Sequence, residues 1–213
     1  MASSTTTRLD AFTDAAFAFA VTLMVVGAGG GTPDYAALMT VVRAIPSFAI
    51  GFALIALFWM AHVHWRSWRG EGDWRSTLLT LMLIFVVLIY IHPLRAMASS
   101  FALFLGGRGD GYGGRLADMF AIYGVGFCAM AAITCALHHD ALRNSELGIA
   151  QRQEVRGQRI IWGILTLTGL VSIAITLIRP IANLAPFAYA TLPVTIGLFS
   201  SRWDWVGKGQ AGT

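Results

Sequence analysis

Six runs of the chain contain no Asp, Glu, Lys or Arg, and no other feature limits its folding as strongly. They are Ala15–Gly31, Ala44–Trp65, Ser76–Leu94, Met119–Leu137, Ile160–Ile178 and Pro180–Ser201, each 17 to 22 residues long. As a helix, a run of about 20 apolar residues matches the hydrocarbon thickness of a bilayer. Lipid offers no hydrogen-bond partners, so such a run must close its backbone bonds internally, and a single segment does this only as an α-helix. The expected fold class is all-α: an integral membrane protein with six transmembrane helices and no soluble domain. Residues 1–213 read as one six-helix unit, with spans at roughly 10–28, 44–65, 76–94, 117–138, 159–179 and 181–201.

Composition excludes the soluble alternatives. Only 12% of residues are charged and 56% are hydrophobic, whereas a soluble domain carries about 25% charged residues. A soluble enzyme, a disordered chain and a collagen-like chain are set aside on that ground. The net charge of +4 would suggest nucleic acid in a soluble protein. Here the basic residues sit between apolar runs, so they read as topology signals and headgroup contacts, with membrane lipid as the partner and no nucleic acid. With six spans, ten Lys and Arg residues fall on the side of the termini and five on the other. That excess places both termini in the cytoplasm of a multi-pass protein of the cell (plasma or inner) membrane. Asp10 and Asp14 argue against a cleaved leader, whose first segment is basic. No internal repeat is visible, so an inverted-repeat transporter gains no support.

The polar residues inside the runs are few. Asp14 lies near the start of an apolar helix, where an ionisable group needs a partner. It reads either as a helix cap, with Thr13 beside it, or as part of a buried cluster with Arg8, Trp59 and His62. Phe19, Thr22 and Val26 fall on one stripe of the same helix. Thr22 reads as a hydroxyl bonded back to its own helix, or as part of a pore lining in which apolar rings flank a hydroxyl ring. Cys128 and Cys135 are seven residues apart, about 10 Å along a helix and too far for a disulfide. The five histidines lie at different depths and lack the spacing of a metal or haem site, so no metal and no cofactor is expected. The Arg108–Gly113 loop holds both Arg-Gly-Asp and Gly-Tyr-Gly, and without a preceding Thr-Val-Gly it reads as a loop rather than a filter. Arg152 to Arg159 reads as a solvated cytoplasmic segment, and Ala96–Gly107 as an extension of the third helix or an interfacial piece.

Arg8, Phe12, Thr13 and Asp14, followed by a small-apolar helix, resemble the first-helix signature Arg-x-x-x-Phe-Ser-Asp of the transmembrane protein 175 potassium channels. Phe58-Trp59-x-x-His62 resembles the Trp-x-x-His element that ends their second helix, and Asp73 to Pro93 is more loosely similar to the third. The resemblance implies a passive potassium-preferring cation leak channel, not an enzyme, whose only ligand is the permeant potassium ion. A one-unit chain would pair with itself as a homotetramer, with the first helices lining a central pore. It implies a hydrophobic constriction at Phe19, a selectivity hydroxyl at Thr22 and an upper apolar ring at Val26. Arg8, Phe12, Thr13, Asp14, Trp59 and His62 would form the network behind the pore. Thr13 stands where the motif has serine, and Phe19 where isoleucine is usual. The rival reading is a secondary transporter or proton pathway using Asp14 and His62.

Overall fold

The computed structural model describes all residues except 1–3, 27–33, 71, 106–114 and 204–213. The Gly27–Gly31 run, the Arg108–Gly113 loop and Lys208 therefore lie outside the described residues. At 4–6, 25, 26, 36, 37, 40, 98–105, 116 and 179 the backbone alone is described. The elements are α1 (Ser4–Val26), α2 (Tyr35–Arg69), α3 (Trp74–Leu105), α4 (Leu116–Ala141) and α5 (Ile149–Leu177). A 3₁₀ turn (Arg179–Leu184), α6 (Ala185–Ala190) and α7 (Leu192–Arg202) follow. The described residues are helical throughout apart from short connections.

Among the described residues five stretches are long and apolar enough to cross a membrane: residues 41–69, 74–97, 117–141, 149–177 and 180–202. α1 carries Arg8, Asp10 and Asp14 in its N-terminal half. Several helices run past the charges that bound the apolar runs. The second helix continues through Arg66 and Arg69, the third through Arg95 to Leu105, and the fifth starts at Ile149 and carries Arg152, Arg156 and Arg159. A long basic side chain can extend towards water while its backbone stays helical, so an Arg need not end a membrane helix.

The last apolar run is broken where a single span was expected. Each of its three pieces has a proline in its first two positions: Pro180, Pro186 and Pro193. Proline lacks the N–H needed inside a helix but fits the first turn, so each one starts a new piece. Pro46 and Pro93 instead sit inside α2 and α3.

The connections are capped by specific bonds. Gly70, with φ of 68°, ends α2 in the left-handed conformation that favours glycine. Asp73 then caps α3, its Oδ1 accepting the Ser76 N–H at 3.0 Å. The α4–α5 turn is held by Arg152, whose Nη1 and Nη2 donate to Leu142 O and Asn144 O, both at 3.0 Å. Asn144 reaches back to donate to Trp68 O at 2.8 Å.

The core is aromatic. Phe58 packs against Phe127 and Trp162 with ring centroids 6.0 and 5.2 Å away. His138 lies 6.4 Å from Trp162 and 5.7 Å from Trp68. These rings join α2, α4 and α5 and fix the rotation of α2. Cys128 and Cys135 are half-buried, and their thiols donate to Thr166 O and Arg159 O of α5.

Candidate functional site

α1 has two faces of different character. Thr13, Phe17, Ala20 and Met24 are buried, at spacings of four, three and four residues that make one stripe. Thr13 is 1% exposed and donates to Leu9 O at 2.8 Å, so its hydroxyl is satisfied within the helix. Met24 lies over Gly51 of α2, near Leu94 of α3, so a side chain at position 51 would have to displace the thioether end of Met24. The opposite stripe, Phe12, Ala15, Phe19 and Thr22, is exposed in the protomer, with Phe12 and Phe19 both at 55%. The Thr22 hydroxyl donates to Ala18 O at 3.0 Å, which leaves its second lone pair open on that stripe. Val26 is the last residue of α1, and its side chain lies outside the described residues.

The N-terminal end of α1 is tied to the C-terminal end of α2. Asp10 and Asp14 are one turn apart, and like charges at that spacing repel unless each finds a partner. Because α2 runs the opposite way, its Arg66 meets Asp10 and its Trp59 meets Asp14. Arg66 Nε donates to both Asp10 oxygens, at 2.9 and 3.2 Å. Trp59 Nε1 donates to Asp14 Oδ1 at 2.9 Å. The Arg66 guanidinium also donates to Gly70 O and lies 5.9 Å from the Trp65 ring centroid. A guanidinium held by a carboxylate, a carbonyl and a ring face has little freedom left.

His62 turns to the other side of α2. It is 3% exposed, its Nε2 is 3.2 Å from Thr80 Oγ1 of α3, and its ring lies 5.1 Å from Trp65. An open cleft separates these groups, lined by Asp10, Asp14, His62, Val63, Arg66 and Ser67. A second ion pair lies on α4, where Asp140 is buried, accepts from Arg69 Nε at 2.7 Å and has Arg143 at 3.7 Å. Among the described residues no three His, Cys, Asp or Glu side chains gather as a metal site. His138 bonds to Thr134 O, while His139 faces Arg159.

A family model for the endosomal/lysosomal potassium channel TMEM175 matches residues 8–93, the stretch that holds α1, α2 and most of α3. A "Potassium channel" from Marivirga tractuosa is 27% identical over 219 residues, covering 92% of this chain and 88% of that protein. The crystal structure of a threonine-to-alanine variant of the potassium channel MtTMEM175, bound to a nanobody fusion, superposes with a TM-score of 0.81. It is 25% identical and covers 91% of each chain. The chain is thus similar to TMEM175 channels in sequence over its first three helices and in fold over most of its length. The structure of a lysosomal potassium-selective TMEM175 homologue from Chamaesiphon minutus shares the fold, with a TM-score of 0.64 at 20% identity over 95% of this chain and all of the other.

The TMEM175 motif residues are not all joined to one another in the protomer. Asp14 and Trp59 meet directly. His62 holds α3 instead of Asp14, and Thr13 is buried within its own helix. Arg8 and Phe12 are exposed, with no ion pair to Arg8 among the described residues. The guanidinium that binds this end of α1 belongs to Arg66. Asp10, Arg66 and Thr80 join this cluster without belonging to either motif. The signal was present for two of them, since Asp10 stands one turn before Asp14 and Arg66 one turn after His62.

Proposed function

We propose that this chain forms a potassium-preferring cation leak channel, a homotetramer in which four copies of α1 surround a central pore in the cell membrane. Permeation is passive and uses no prosthetic group; potassium is the cargo. The observation that carries this reading is the exposed stripe of α1. A helix anchored on one side by Thr13, Phe17, Ala20 and Met24 leaves Phe12, Ala15, Phe19 and Thr22 exposed in the protomer, and in a ring of copies that stripe faces the axis. Phe19 is then the hydrophobic constriction, Thr22 the hydroxyl ring and Val26 the upper apolar ring. The Asp10–Arg66 and Asp14–Trp59 bonds hold α1 at the angle that presents the stripe.

The orientation with both termini cytoplasmic belongs to the same proposal and follows from the Lys and Arg bias. The transporter or proton-pathway reading finds less support, because Asp14 and His62 bond to different partners.

Liposomes loaded with potassium test the proposal. Purified protein is expected to pass potassium, with less flux when sodium replaces it, and Phe19→Ala is expected to raise the flux. No flux from a folded tetramer would overturn the channel reading. Unchanged flux in Phe19→Ala would remove Phe19 from the constriction.

A further inference from the structure

We propose that Arg95 sets the electrostatic field at the end of α1 opposite its Asp14 end, and so limits how fast cations enter there. The inference rests on the channel reading given above. Arg95 lies on α3, one residue after the buried Leu94 that packs beside Met24. Its Nη1 donates to Leu23 O in the last turn of α1, at 3.5 Å. From Asp10, which meets Arg66, to Leu23, which meets Arg95, is 13 residues of α1, about 20 Å of rise at ~1.5 Å per residue. The Arg95 contact therefore lies far along α1 from the Arg66 contact.

Among the described residues no carboxylate lies within ion-pair distance of Arg95. The C-terminus of α1 offers only about half a negative charge, so Arg95 and this helix end together remain positive. Leu23 is next to Thr22 on α1, and a helix is about 10 Å across with its side chains. A cation beside Thr22 therefore sits about one Debye length from the guanidinium at physiological salt. Four such charges around one mouth would deplete cations there and slow their entry.

Three variants test the proposal in potassium-loaded liposomes. Arg95→Gln is expected to raise potassium flux about two- to tenfold at ~10 mM salt, where the Debye length is ~30 Å. The gain should shrink towards unity at about 1 M salt, where that length is ~3 Å. Arg95→Lys keeps the charge and should stay near the parent. Arg95→Cys separates charge from packing. A thiol reagent carrying an ammonium group should lower its flux, and one carrying a sulfonate should raise it. The parent treated with the same reagents controls for Cys128 and Cys135. Opposite effects of the two adducts support the proposal. Equal effects, or a gain in Arg95→Gln that persists at high salt, would overturn it and leave Arg95 as a packing residue. Parent protein with no flux in either ion would instead remove the channel reading, and this inference with it.

Discussion

The Arg69–Asp140 pair gives the sharpest test of how the bundle is held. Asp140 is only 6% exposed in its side chain and Arg69 13%, with Nε to Oδ2 at 2.7 Å. At an effective dielectric of about 20, charges at that distance attract by roughly 6 kcal/mol. Removing two ions from water costs several kcal/mol each, so the intact pair contributes little net stability. Removing one partner behaves differently. Asp140→Leu removes the closer carboxylate and leaves Asp73, at 3.6 Å and 43% exposed, still beside the Arg69 guanidinium. Stranding a buried charge costs about 3–5 kcal/mol. With Asp73 remaining, a loss of about 2–3 kcal/mol is expected. The double variant Arg69→Leu with Asp140→Leu should fall within about 1 kcal/mol of the parent, because both desolvation penalties vanish together. Equilibrium unfolding in mixed micelles, followed by helical circular dichroism, of the parent, Arg69→Leu, Asp140→Leu and the double variant closes a double-mutant cycle. Single-variant losses that add within about 0.5 kcal/mol would refute the reasoning, since coupled neighbours should not add.

Three other perturbations bear on the connections and on α1. The backbone N–H of Ser76 holds the Asp73 carboxyl below the ordinary carboxylate range. A depressed folded pKa means that its contribution is present above the unfolded value of about 3.9 and is lost as pH falls through the folded one. Asp73→Ala should therefore cost about 1 kcal/mol near neutral pH, and the difference from the parent should close in unfolding curves taken at the lowest pH. In Gly126→Ala the new methyl would overlap the buried Tyr90 ring, so α3 and α4 should be forced apart at about 1–3 kcal/mol, read as a lower melting temperature in detergent. Trp59→Phe keeps most of the ring but loses the N–H to Asp14, and about 1 kcal/mol of stability should go with it. Trp59→Phe that melts with the parent would show that Asp14 is satisfied without Trp59.

Much of this architecture was legible because one physical rule dominates it. Charge-free runs of membrane length mark the five stretches that can cross a membrane, and the mutual need of Asp14 and a partner on α2 points to the contact that Trp59 makes. The rest depended on information that hydropathy does not carry. The helices run past the charges that bound the apolar runs, as α2 does at Arg66 and α3 at Arg95 into the Ala96–Gly107 extension, because backbone conformation and side-chain solvation are separate matters. The final run looked continuous by hydropathy, yet its prolines divide it. Arg69 and Asp140 are 71 residues apart, and no local pattern marks them as partners. His62 was placed with Asp14 by depth alone. Its rotation about α2, which turns it towards Thr80, follows from the aromatic packing of Phe58, Trp65 and Trp68 behind it.

The division of α1 into an anchored stripe and an open one also governs how such a chain can change over generations. Substitutions at 13, 17, 20 and 24 disturb contacts inside the protomer, so selection for folding acts on them first. Substitutions at 12, 15, 19 and 22 leave those contacts intact. A library randomised at the second set should yield folded protomers far more often than one randomised at the first. Whatever selection acts on the open stripe, Phe19 included, therefore acts through what that stripe faces and not through the folding of the protomer.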